Sequence, residues 1–91
     1  MYTHPSPKYH RLDAGMTVLE VISIMESAPK RAYTPEDFCT TYRDTMLVSM
    51  CDEFVSTNTS ALMAWNARID TVIVVGLDQE ASVSFLGFGD T

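Results

Sequence analysis

Two histidines and two cysteines are the side chains of this chain that could bind a soft metal ion or form a nucleophile–base pair: His4, His10, Cys39 and Cys51. Structural zinc sites usually hold paired cysteines about two to four residues apart, whereas these cysteines are a dozen residues apart. Nucleophilic catalysis needs a Cys–His or Ser–His pair and a group that orients it. A contact between His10 and Cys39 is geometrically conceivable, but no sequence motif supports it. We therefore predict no metal site, no cofactor and no catalytic residue.

The carboxylates and glycines add no catalytic motif. Glu36-Asp37 and Asp52-Glu53 are adjacent pairs, and neighbours on a helix diverge by about 100°, so neither pair forms a facing acid–base dyad. The first pair fits the start of a helix, where the dipole favours negative charge. Gly87-Phe88-Gly89-Asp90 is not followed by the helix that a phosphate loop requires. The motifs favour a protein that is not an enzyme.

Composition excludes several classes of function. The 91 residues carry a net charge of −6 with only six Lys and Arg, so we expect no direct nucleic-acid binding, and the acidic surface should favour basic protein partners. The longest apolar run, Val72–Val75, is far shorter than the ~20 residues of a membrane helix. No secretory signal opens the sequence, and we expect a cytoplasmic protein without a membrane partner.

The elements that must position these residues begin after an extended N-terminal arm, residues 1–14, and form a single α+β domain, residues 15–91. Thr17 to Glu20 forms a capping box that predicts a helix over residues 17–27; its β-branched residues leave a strand as the rival. Thr34-Pro35 predicts the start of a second helix, residues 35–56. Both cysteines would lie on that helix about 18 Å apart, too far for a disulfide, so we expect free thiols and a reducing compartment.

After residue 60 the sequence becomes rich in β-branched and aromatic residues, which predicts strands at about 61–67, 69–76 and 81–88. The segment 61–67 could also form two turns of helix, although a strand is favoured. Val72–Val75 is apolar on both faces and is placed at the centre of the sheet. The predicted fold is α+β, with two helices packed as one layer on a small antiparallel sheet.

Apolar side chains beyond the capacity of a small core are the clue to function. Apolar surface left on an edge strand or helix usually marks a partner surface; that all of these side chains fill the monomer core is the open alternative. We expect a small, acidic, non-enzymatic module, forming a homodimer, that inhibits or modulates another protein by occupying its basic surface. Steering is assigned to three carboxylates and anchoring to three aromatic rings: Asp44, Asp52, Glu53, Phe54, Phe85 and Phe88.

Two alternatives to this function remain. The Tyr9-His10-Arg11 region suggests a small nucleotide-binding protein or enzyme, and the lack of motifs also suits a structural subunit of a larger assembly. Short acidic chains of this kind are common among phage and mobile-element accessory proteins, so a viral protein acting in the host cytoplasm is the expected setting for the leading hypothesis.

Overall fold

The computed structural model describes residues 8–67 and 70–90, and it confirms the α+β class. Its α-helices are α1, α2 and α3, at Val18–Met25, Pro35–Thr41 and Cys51–Ser56. Its strands are β1, β2, β3 and β4, at Arg31–Tyr33, Ala61–Asn66, Thr71–Leu77 and Val83–Asp90. Two 3₁₀ helices complete the order, the first at Tyr9–Arg11 and the second at Met46–Met50. The predictions for residues 1–7, 68, 69 and 91 lie outside the described residues.

The strands form one antiparallel sheet in the order β1-β2-β3-β4. The central position of Val72–Val75 is confirmed, because β3 lies between β2 and β4. The segment 61–67 is a strand, as favoured, and not a helix. The prediction missed β1, which pairs residues 31–33 with residues 62–64 of β2, because three residues are too few to show a period of two.

Helices cover both faces of the sheet, which differs from the predicted single layer of helices. Alternate residues of β2 and β3 point to opposite faces, and both sets are apolar. One core packs α1 against Met63, Trp65 and Ile73. The other packs α2, the second 3₁₀ helix and α3 against β2, β3 and Phe85.

The predicted helix over residues 35–56 is wrong as a single element. Its chain leaves α2 at Thr41, turns through residues 42–45, and continues as the second 3₁₀ helix and α3. Thr45 starts the new segment, because its side chain accepts a hydrogen bond of 3.1 Å from the Leu47 N–H. The break brings the rings of Phe38 and Phe54 to 5.4 Å, whereas sixteen residues of straight helix would separate them by about 24 Å.

A disulfide joins Cys39 on α2 to Cys51 on α3, with 6.0 Å between their Cα atoms. The expectation of free thiols is therefore wrong. Its premise was a continuous helix, and the turn at residues 42–45 removes that premise. The reducing compartment inferred from free thiols loses its support with them.

The first helix confirms its start signal. The Thr17 hydroxyl accepts from the Glu20 N–H at 3.2 Å, and the Glu20 carboxylate accepts from the Thr17 N–H at 2.9 Å. The helix ends at Met25 and is capped by Glu26, a residue with φ of 60° in the left-handed region. Val21 and Met25 are its buried residues, so α1 is an amphipathic helix and not the rival strand.

Candidate protein-binding surface

The three carboxylates predicted to steer a partner are all exposed. Asp52 and Glu53 lie in the first turn of α3, where negative charge complements the helix dipole. Asp44 lies in the turn between α2 and the second 3₁₀ helix, so it shares no helix face with the other two. The structure thus places the three on one continuous part of the chain, but not on one acidic stripe.

The three predicted aromatic anchors separate into two groups. Phe54 and Phe85 are only 4% and 7% exposed, and their rings pack edge to face at 5.1 Å inside the core. Both rings therefore lie in the monomer core, which is the alternative that the sequence left open. Phe88 is 41% exposed, and its place in a partner surface stays a prediction.

The charge of the protein is divided along the chain, a signal that the sequence carries and that the motif search missed. Residues 1–43 contain five carboxylates and five Lys or Arg, so they are neutral. Residues 44–91 contain seven carboxylates and a single base, Arg68, and hold the entire net charge of −6. These seven carboxylates are Asp44, Asp52, Glu53, Asp70, Asp78, Glu80 and Asp90.

A cleft of about 690 Å³ lies in this acidic part of the protein. Its walls are the segment that links α3 to β2 and the turn that links β3 to β4, and most of its side chains carry oxygen acceptors. Its volume falls within the range of about 300–1,000 Å³ typical of ligand sites. The lining residues are Phe54, Thr57, Asn58, Thr59, Ser60, Asp78, Gln79 and Glu80, with no base among them.

Hydrogen bonds hold both walls of the cleft in place. The hydroxyl of Thr59 is 2.8 Å from that of Thr57 and 2.8 Å from that of Ser84 on β4. On the other wall, Oδ1 of Asp78 accepts from the N–H groups of Glu80 and Ser82 at 2.9 and 3.0 Å. The cleft is therefore a preformed concave surface whose chemistry is acceptor-rich and negative.

The Tyr9-His10-Arg11 region forms the first 3₁₀ helix and lines neither this cleft nor a second one. Tyr9 packs its ring edge to face on Phe88 at 5.0 Å, and burial raises the pKa of its hydroxyl. The second cleft, about 230 Å³, lies beside Lys8 and Trp65 and is smaller than typical ligand sites. Among the described residues, the linings of these two clefts therefore give the nucleotide alternative no support.

Tyr42, which is paired with Tyr33, has the largest pKa shift among the described residues. The hydroxyls of Tyr33 and Tyr42 are 2.9 Å apart. Burial, with help from this hydrogen bond, raises the pKa of Tyr42 to about 12. A phenol so hard to ionise is not a base at neutral pH, and we assign the pair to the packing of α2 on β1.

The candidate nucleophile is used in a disulfide, and the candidate metal ligands among the described residues are not grouped. Cys39 is bonded to Cys51, so its sulfur is not a nucleophile for a pair with His10. Across residues 8–67 and 70–90, no three His, Cys, Asp or Glu side chains are grouped as a metal site would require. No helix in this part of the chain is long and apolar enough to cross a membrane.

Comparisons with known proteins give no relative: no family model, no curated protein and no solved structure matches this chain.

Proposed function

We propose that this protein is a non-enzymatic binding module that takes a basic segment of another protein into its acidic cleft. The observation that carries the proposal is the coincidence of a preformed cleft without a base in its lining and a charge of −6 confined to residues 44–91. Lysine and arginine side chains complement such a surface in both charge and hydrogen bonding, because they donate and do not accept.

Two sets of carboxylates would attract a basic segment, one on the wall of the cleft and one in α3. Glu80 is exposed on the wall of the cleft, and Asp78 is half-buried beside it. Asp52 and Glu53, exposed in the helix whose end forms the other wall, add long-range attraction. Charges at the rim of an interface act mainly on the association rate and on its salt dependence. We expect binding that weakens as ionic strength rises.

The proposal is tested by neutralising charges on either side of the division in the chain. The cleft variant carries Asp52→Asn, Glu53→Gln and Glu80→Gln. The matched control carries Asp13→Asn, Glu36→Gln and Asp37→Asn, three exposed carboxylates of the neutral part. Both triple variants raise the net charge by the same amount, so they differ only in where charge is lost.

The assay is a pull-down from the source cell at physiological salt, followed by titration of the recovered partner. We expect wild type and the control to recover the same protein and the cleft variant to lose at least about tenfold in affinity, equivalent to 1.4 kcal/mol. The changes in NMR chemical shift on adding a Lys- and Arg-rich peptide should be largest at residues 57–60 and 78–80. Equal losses in both variants, or no protein enriched at physiological salt, would overturn the proposal.

The inhibition of a host protein, a viral setting and the alternative of a structural subunit stay predictions. Light scattering that shows closed oligomers larger than a dimer would favour the structural subunit.

A further inference from the structure

β4 forms one edge of the sheet, and only its beginning is covered by residues in the described part of the chain. The Val83 N–H donates to the Met16 carbonyl at 2.8 Å, and the Val83 carbonyl accepts from the Gly15 N–H at 2.9 Å. From Ser84 onward, no described strand lies on the outer side of β4. An edge of this kind recruits another strand unless charge, proline or a covering segment prevents it.

The pairing pattern shows which backbone groups face outward. Ala67 N–H donates to the Thr71 carbonyl at 2.9 Å, so the odd-numbered residues of β3 direct their backbone groups to β2 and the even-numbered ones to β4. Phe85, Gly87 and Gly89 pair with even-numbered residues of β3 and therefore face β3. The N–H and C=O groups of Leu86 and Phe88 point to the open edge.

The side chains around this edge do not block it. No charged residue lies between Ser84 and Gly89, and no proline lies in β4. Phe88 is 41% exposed on one face of the sheet, and Met46 and Val48 are 78% and 39% exposed on the second 3₁₀ helix. That helix lies over β4 on the other face, with its Leu47 side chain covering Gly89. Exposed apolar groups therefore lie on β4 itself and on the 3₁₀ helix packed over it.

We propose that β4 pairs in antiparallel fashion with β4 of a second copy of this chain, about a twofold axis at Gly87. In this register Leu86 of each copy is opposite Phe88 of the other, and each such pair exchanges both backbone hydrogen bonds. The two sheets then continue as one.

The chemistry of the strand favours a second copy as its occupant. Opposing residues lie on the same face, so the aliphatic Leu86 contacts the exposed aromatic ring of the other Phe88. On the opposite face Gly89 of one copy is opposite Phe85 of the other, and both are already covered within their own copy, Gly89 by Leu47 and Phe85 by its burial in the core. Asp90 faces Ser84 and not another carboxylate. One register thus satisfies the backbone, the apolar groups and the charge at once.

This inference is independent of the acidic cleft, and salt separates the two. Two copies of net charge −6 repel each other, so screening strengthens self-association, whereas it weakens the binding of a basic partner. A dimer without a basic partner, or a basic partner without a dimer, would therefore assign each failure to its own proposal.

The first experiment uses the unmodified chain. Amide hydrogen exchange is measured by NMR over about a hundredfold range of protein concentration, alongside sedimentation equilibrium. We expect the Leu86 and Phe88 amides to gain protection as the dimer forms, while the Gly87 and Gly89 amides, already directed to β3, stay protected throughout. A monomer at every concentration, or a dimer without new protection at Leu86 and Phe88, overturns the proposal.

A pair of matched variants tests the side-chain contacts. Phe88→Glu places a carboxylate at the proposed interface, whereas Leu19→Glu makes a comparable change at a side chain 78% exposed on α1. Phe88→Glu should raise the dimer dissociation constant by about tenfold or more, and Leu19→Glu should leave it within about twofold of wild type. Equal effects of the two variants refute the interface. Protection at Leu86 and Phe88 that is independent of concentration and disappears when residues 1–7 are removed also refutes it, since the chain itself would then occupy the edge.

Discussion

Removing the disulfide between Cys39 and Cys51 should lower the stability of this protein by a large fraction of its total. The bond links α2 to α3 across the turn at residues 42–45, and both helices belong to the same core. Without it, the unfolded chain regains the freedom of the loop that the bond closes. The perturbation is the double variant Cys39→Ser/Cys51→Ser, or reduction of the wild-type protein.

The magnitude follows from the size of the loop. For the sequence separation of 12, the loop-entropy relation gives about 9.5 cal/mol/K, or about 2.8 kcal/mol at 25 °C. A domain of this size is expected to be stable by about 5–14 kcal/mol. The loss therefore corresponds to a fall in Tm of about 10–20 °C.

Urea unfolding followed by the fluorescence of Trp65, which is 4% exposed, measures the loss. The indole also donates to the Ser27 carbonyl at 3.1 Å, so its signal reports the loss of its buried environment. Reductant should destabilise the wild type and leave the Cys39→Ser/Cys51→Ser variant unchanged. A difference below about 0.5 kcal/mol between oxidised and reduced wild type would refute the reasoning, since it is far below the loop entropy.

Three further predictions address packing, capping and ionisation. Gly76→Ala should cost about 1–3 kcal/mol in urea unfolding, because its Cβ would lie 2.8 Å from Phe85 Cβ and 2.8 Å from Thr59 Cγ2; adding Thr59→Ser should recover part of the loss, and no recovery would contradict this cause. Thr17→Ala removes the side-chain acceptor of the capping box and should cost about 1 kcal/mol; an unchanged unfolding midpoint would contradict the role of the cap. Tyr42, whose pKa burial raises to about 12, ionises in the unfolded chain near pH 10, so its contribution to stability is complete below pH 10 and is lost as pH rises toward about 12; the tyrosinate absorbance of wild type and Tyr42→Phe measures this, and a Tyr42 transition at pH 10 would disprove it.

The parts of the fold that depend on local chemistry could be predicted from the sequence. The capping box at Thr17 and the apolar run Val72–Val75 act through near neighbours, and the structure has the helix and the central strand where they were expected. The break after Thr41 depends on distant contacts instead. The cap at Thr45 is readable, but it competes with an apolar pattern that also fits a continuous helix.

The features that depend on this break could not be predicted from the sequence for the same reason. The cysteine pairing follows only once α2 and α3 fold back on one another, so reasoning from a straight helix gave the opposite result. The burial of Phe54 and Phe85 depends on the same packing. The division of charge at residue 44 can be counted along the sequence and needs no structure. The cleft on which the proposed function depends is visible only in the structure.

The two apolar faces of the central strands have a consequence for the alignment of the sheet. In most sheets a slip of one residue moves polar groups into the core, and this cost protects the native register. Here a slip of β3 by one residue would move Ile73 and Val74 each into the other core, and both cores are apolar. The native alignment must therefore be distinguished by shape, at Gly76, where a Cβ would lie 2.8 Å from Phe85 Cβ and 2.8 Å from Thr59 Cγ2. A difference in polarity between the two faces, which fixes the register of most strands, contributes little to the register of β3 in this protein.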